Sequence, residues 1–351
     1  MTPRRTLRDR AELFLARALL GLSHETLLRL SGKPQIVIDG QSLHPEMQFA
    51  ITTRKRLKVP PLRAATPAVA RRALLAETRR YAGKPLPLAV RDLKIPSHGH
   101  QLDARHYAPP EPGGPHPLLV FFHGGGFSLG DIETHDGPCR LLCARAGVHV
   151  LSVAYRLAPE HPFPAAIEDG EAAFLWALEH ATELGADPSH VGVGGDSAGG
   201  NISAVVSALG RKSGKSPHFQ FLIYPVADRS QTRPSFEHFS EGFLLERADV
   251  EFFDRCYTGA STELTRDVRV SPLLDEMPPA VPTVVATAAF DPLRDEGEAY
   301  AAWLERHGTP VVMKRFPGLI HGFINMSSVS RVADHAMSEL AALLRPLSRT
   351  S

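Results

Sequence analysis

Cysteine is scarce in this chain: Cys139, Cys143 and Cys256 are the only three in 351 residues, and no Cys-x-x-Cys or Cys/His metal spacing joins them. That scarcity argues against a disulfide framework or a zinc site and favours a reducing compartment. Long apolar runs are also missing, none approaching the roughly 20 residues a membrane span requires. The nearest candidate for a leader, residues 11–22, is broken by Arg17 and has no small-residue cleavage site behind it. Cytoplasm is therefore the expected location. No basic segment is interleaved with aromatics in the manner of nucleic-acid binders, so nucleic acid is not an expected partner. No internal repeat or long low-complexity segment interrupts the chain.

What is present is an alternation of strand-like and helix-like runs. Strands are expected at residues 88–95, 103–107, 118–122, 148–155, 191–194, 219–224, 283–290 and 311–316, with helical stretches such as 165–184 between them. Such alternation predicts a mostly parallel, doubly wound α/β sheet of eight strands. Residues 109–115, rich in proline and glycine, read as a surface turn.

The densest chemical signal is Gly195-Asp196-Ser197-Ala198-Gly199, set between the apolar run 190–194 and the helix-like stretch 201–206. A strand turning sharply into a helix with serine at its apex is the context a G-x-S-x-G nucleophile elbow requires. The flanking glycines fit a strained turn in which side chains at 195 and 199 would meet the adjacent strand and helix. A nucleotide-binding reading of the same region fails. Gly192 and Gly194 have no glycine at 197, and no Lys-Ser/Thr pair follows.

His123-Gly124-Gly125-Gly126-Phe127 follows the apolar run 118–122. Attack on an ester carbonyl creates an oxyanion, and stabilising it takes backbone N–H donors that substrate can approach without meeting a Cβ. The expected donors are Gly124 and Gly125, joined by Ala198 after the nucleophile. His123 precedes the serine and is read as a structural hydrogen-bonding residue.

An acid and a base are expected downstream, in that order. Asp291 stands at the carboxyl end of the 283–290 strand, where open α/β sheets build their sites. Asp295, one helical turn on, is the competing acid, though the first turn of the next helix would favour a carboxylate anyway. Among 17 histidines, His321 stands out in the loop after the last strand, beside a glycine. Ser197, His321 and Asp291 would then act as nucleophile, general base and orienting acid.

These motifs, with Tyr155-Arg156-Leu157-Ala158-Pro159-Glu160 and His321-Gly322-Phe323, resemble the hormone-sensitive-lipase-like esterases of bacterial family IV, from about residue 85 to the C-terminus. The resemblance implies an α/β-hydrolase fold with a helical cap, a Ser197-Asp291-His321 triad, and oxyanion donors at Gly124, Gly125 and Ala198. It implies hydrolysis of small-molecule carboxylic esters, of short to medium acyl chain, with no cofactor or metal. Amide or formamide hydrolysis and lipase action on the same triad are the alternatives. A ligand receptor on the same scaffold is another, argued against by the presence of His321. A homodimer is expected by analogy only.

The expected organisation is an N-terminal cap segment at 1–85, a core at 86–228 and 278–351, and a cap insertion at 229–277. The insertion's Phe236, Phe239, Phe243, Phe252, Phe253 and Tyr257 would form an apolar lid or acyl pocket, or else the insertion's own small core. Charge is uneven along the chain. Residues 1–80 carry 16 Lys/Arg against 6 Asp/Glu, while the rest carries 23 against 32. A solvated helical face accounts for this bias. The lesser reading is contact with a membrane surface, since Ala11, Phe14, Leu15, Ala18, Leu19 and Leu22 recur at helical spacing among Arg8, Arg10 and Arg17.

Overall fold

The computed structural model describes residues 6–63, 66–110 and 116–347, so most of the turn expected at 109–115 lies outside the described residues. Its centre is an eight-stranded sheet built from β3 (Ala89–Ser97), β4 (His100–Ala108), β5 (His116–Phe122), β6 (His149–Ala154), β7 (Ala186–Asp196), β8 (Gln220–Ile223), β9 (Thr283–Phe290) and β10 (Val311–Ile320). The spatial order is β10-β9-β8-β7-β5-β6-β4-β3. Strand β4 runs antiparallel to both β3 and β6, and every other pairing is parallel. This is the mostly parallel sheet that the alternating runs predict.

Both faces are covered, which is why the central strands read as unbroken apolar runs. Leu119 and Phe121 of β5 pack towards α5 (Asp136–Ala146) and α11 (Arg331–Leu347). Leu118, Val120 and Phe122 pack on the opposite side with α6 (Ala165–His180) and α7 (Ala198–Ser213). Helix α10 (Arg294–Arg306) covers Leu222 and Val285 on a third apolar cluster.

Most strands begin or end a few residues from the expected positions, β7 starting as early as Ala186, and two of the changed ends bear on the site. Strand β7 extends to Asp196, and β10 continues past Phe316 through Pro317 and Gly318 to Ile320, with a register irregularity between Phe316 and Ile320. The irregularity lets the chain absorb a proline and a positive-φ glycine and still pair Ile320 with Phe290. His321 and Asp291 thereby leave neighbouring strand ends side by side.

Ahead of the sheet lie α1 (Leu7–Leu20), α2 (His24–Ser31), the ribbon of β1 (Val37–Ile38) and β2 (Gln41–Ser42), α3 (Pro45–Arg56) and α4 (Pro67–Tyr81). The ribbon has two residues per strand, too few to leave a period in the sequence. Residues 229–277 hold α8 (Pro234–His238), α9 (Arg247–Thr258) and two short 3-10 turns. The N-terminal segment meets this insertion directly: the Arg63 N–H donates to Asp249 Oδ1 at 2.8 Å, and its guanidinium reaches Glu246 at 3.0 Å.

The insertion's rings do not act as one unit. Phe239 and Phe243 pack on Phe290 at the end of β9 and so belong to the main core, neither lid nor separate core. Phe253 and Tyr257 line the cavity over Ser197, and Tyr257 stacks on Phe127 with ring centroids 3.8 Å apart.

Candidate active site

Ser197 sits between β7 and α7 with φ 55°, a left-handed conformation that a non-glycine residue holds only when its surroundings enforce it. Its N–H is fixed to the Ile223 carbonyl at 2.9 Å. A Cβ built on Gly195 or on Gly199 would overlap the Phe122 carbonyl oxygen, so the elbow passes its neighbouring strand only with glycine at both positions. The serine is pushed out of the turn at the N-terminus of α7, where the Ala198 N–H is a first-turn donor with no intrahelical acceptor.

His321 Nε2 lies 3.1 Å from Ser197 Oγ, and its Nδ1 lies 2.7 Å from Asp291 Oδ2. A carboxylate only accepts, so Nδ1 carries the proton towards Asp291 and Nε2 is left to accept from the serine hydroxyl. Asp291 is fully buried, and its other oxygen accepts the Leu293 N–H at 2.8 Å. The competing acid, Asp295, is turned elsewhere: it accepts the Ser235 N–H at 2.8 Å and pairs with Arg294. Tyr224 lies against the His321 ring, centroids 4.6 Å apart.

The glycine loop departs from the sequence expectation at Gly124. That residue's N–H donates to Asp196 Oδ1 at 2.8 Å and is therefore not free for an oxyanion. The N–H groups of Gly125 and Gly126 have no acceptor among the described residues. Gly125 and Gly126 adopt φ 122° and 58°, and a Cβ on Gly126 would overlap the Phe253 ring. The correction has a plain cause: an N–H faces one way, and the buried carboxylate beside the nucleophile takes this one.

Asp196 itself went unread in the sequence, although a charged residue inside a buried elbow is the kind of anomaly that calls for partners. Burial alone would raise its pKa, but His135 Nε2 at 3.3 Å and the Gly124 N–H hold it below the usual carboxylate value. Tyr224 Oη reaches its other oxygen at 3.4 Å. His123 is buried and stacked on Tyr155. Burial and the nearby His135 push its pKa down to about 4, and its Nδ1 lies 2.8 Å from the Gly124 carbonyl.

The Tyr155–Glu160 motif supports the same loop. Tyr155 Oη donates to the His123 carbonyl at 2.7 Å, and the Ala158 N–H donates to the Phe127 carbonyl at 2.9 Å. Arg71 of α4 bonds the Ser128 and Ala158 carbonyls and forks onto Glu160, fastening the N-terminal segment to the loop.

One cavity of about 1380 Å³ opens onto Ser197, His321 and the glycine loop and extends beneath α1, α3 and α4. Its walls include Leu19, Phe49, Leu74, Val226 and Phe253. Among the described residues no group of three His, Cys, Asp or Glu side chains is arranged to hold a metal.

A family model for the alpha/beta hydrolase fold matches residues 119–325. The chain is 44% identical to the carboxylic ester hydrolase LipN of Mycobacterium tuberculosis, covering 90% of this chain and 86% of that one. It is 36% identical to the ethyl acetate hydrolase of Pseudomonas putida over 84% and 96% of the two chains. Among solved structures it superimposes with a TM-score of 0.77 on EstE1, a thermophilic carboxylesterase from a metagenomic library, at 40% identity and covering 82% of this chain and 99% of that one. The chain is an α/β hydrolase and belongs to the hormone-sensitive-lipase-like carboxylic ester hydrolases of bacterial family IV.

Proposed function

We propose that this carboxylic ester hydrolase works through an acyl-enzyme on Ser197, with His321 as general base and Asp291 as the group that orients it. Ser197 Oγ attacks the ester carbonyl as its proton passes to His321 Nε2. Collapse of the tetrahedral intermediate expels the alcohol, which takes that proton. Water then repeats the attack on the acyl-serine, releasing the acid and restoring the hydroxyl. The N–H groups of Gly125, Gly126 and Ala198 hold the oxyanion, with Gly126 in place of Gly124. What supports this reading is the unbroken line Asp291–His321–Ser197, at 2.7 and 3.1 Å, beside unpaired loop donors.

Within residues 1–85 and 229–277, the cavity-lining parts of α1, α3, α4 and α9 roof the cavity as a two-part cap, its halves joined through Arg63 and Asp249. The apolar walls favour esters of short to medium acyl chain, in keeping with relatives named for ethyl acetate and carboxylic ester hydrolysis. Rapid mixing with p-nitrophenyl butyrate tests the mechanism. A burst of one p-nitrophenol per active site is expected, lost in Ser197→Ala; a Ser197→Ala protein with near-normal turnover would overturn it.

A further inference from the structure

We propose that α1 is a membrane-surface helix that seats this protein on anionic lipid. Thr6 caps the helix and forms a reciprocal pair with Asp9. Leu13 and Leu20 turn inward and are buried. The opposite face is apolar yet faces solvent: Leu7, Ala11, Phe14 and Ala18 follow the 4-3-4 spacing of a single helical stripe, with Leu22 continuing it just past the helix. Leu7 is 85% and Phe14 75% exposed, so neither contributes to the fold it belongs to. A helix whose core-facing stripe is already satisfied gains nothing in water from a second apolar face.

Charge selects the occupant. Residues 1–80 carry 16 Lys/Arg against 6 Asp/Glu. Arg10 is exposed beside the stripe, whereas the helix's two acids are turned away from it, Asp9 to Thr6 and Glu12 to Arg80. The Arg8 side chain lies outside the described residues. A second copy of the chain is the poorer fit. A two-fold contact through this stripe would bring the exposed Arg10 of one copy towards that of the other, whereas anionic headgroups neutralise it.

The same helix also borders the cavity. Leu15 is more than half exposed and yet lines it together with Ala16, Leu19 and Leu20. An apolar ester dissolved in the outer part of a bilayer would therefore meet the cavity that leads to Ser197 without crossing bulk water. That last step rests on the catalytic reading above; the lipid contact does not.

The test uses full-length Ser197→Ala protein, co-sedimented with vesicles of phosphatidylcholine alone or with roughly a third phosphatidylglycerol. Binding to the anionic vesicles should be at least about tenfold tighter than to neutral ones and should fall away in about 0.5 M NaCl. Adding Leu7→Glu and Phe14→Glu should weaken it by about tenfold or more. In the otherwise unaltered enzyme the same pair should leave hydrolysis of a water-soluble ester unchanged. As an independent readout, Trp fluorescence of a Phe14→Trp variant should shift to the blue with anionic vesicles only. Absence of vesicle binding, or binding that survives the double substitution, overturns the proposal. So does sedimentation velocity that finds a dimer which the double substitution dissociates, in a protein that ignores vesicles. If instead Ser197→Ala retains turnover, the mechanism fails while the lipid result stands by itself.

Discussion

The Gly124 N–H donates to Asp196 Oδ1 at 2.8 Å, so the residue just before the nucleophile holds the loop that faces it. The two sides of the proposed oxyanion pocket, one on the loop after β5 and one on the first turn of α7, are thus bridged directly by a buried carboxylate. Removing it leaves the Gly124 N–H without its acceptor and costs His135 its carboxylate contact, while Tyr155 and Arg71 still hold other points of the loop.

Asp196→Ala should therefore lower kcat by about 10²-fold with a much smaller change in KM, the effect of a displaced donor rather than a lost binding contact. Asp196→Asn keeps an acceptor for Gly124 and should recover part of the loss. Steady-state kinetics on a short-chain p-nitrophenyl ester measures both, with active-site titration correcting for the folded fraction; a KM that rises as much as kcat falls would point to a lost binding contact instead.

Asp291→Asn should reduce kcat by about 10⁴-fold, because an amide facing Nδ1 no longer enforces the tautomer that leaves Nε2 free to accept. Asp295→Asn should cost little turnover, since that side chain serves Ser235 and Arg294. Comparison of the two variants under identical conditions decides which carboxylate orients His321.

Gly199→Ala should destabilise the fold by about 3 kcal/mol or more, since the added Cβ meets the Phe122 backbone carbonyl rather than a movable side chain. Gly137→Ala, where a Cβ meets nothing within 4 Å, is the matched control and should be close to neutral. Urea unfolding midpoints of the two proteins provide the measurement.

Acid should weaken the fold before it protonates most carboxylates. Burial pushes the hydrogen-bonded pair His106 and His149 each down to about 4, helped by His149 acting on His106 and by His116 acting on His149; His123 is likewise near 4. The unfolded chain takes up protons at these sites from about pH 6.5, whereas the folded chain resists until about 4. Stability is thus complete above pH 6.5 and declines as pH falls towards 4, by about 2 to 3 kcal/mol for each histidine titrated alone. Thermal unfolding across this range should show the decline, and His149→Gln should flatten it; a Tm that stays level from pH 7 to 4.5 would contradict the account.

The central strands were legible because parallel strands covered on both faces leave apolar runs that need no periodicity to be noticed, whereas the antiparallel β3 and β4 carry exposed and alternating residues instead. The contact line of Ser197, His321 and Asp291 was legible for a related reason: each residue stands at a strand end, marked by glycines or by the run that precedes it. Signals failed where structure depends on distant partners. Phe239 and Phe243 look like lid residues from their place in the insertion, and only the nearness of Phe290 assigns them to the core. The β1–β2 ribbon and the continuation of β10 through Pro317 and Gly318 obey pairing with neighbours rather than local preference.

The chain's own order of residues determined the chemistry it could perform: a serine on a glycine-flanked turn, a glycine-rich loop ahead of it, an acid and then a base behind. Local sterics and strand-to-helix geometry are written into neighbouring residues, so they can be read one segment at a time. Folding alone decided which N–H groups of the loop remain unpaired, which aromatics reach the cavity and which face of α1 stays uncovered. Those outcomes turn on directions and distances between residues dozens to hundreds of positions apart, and a hydrogen bond or a buried ring exists only once both partners have arrived.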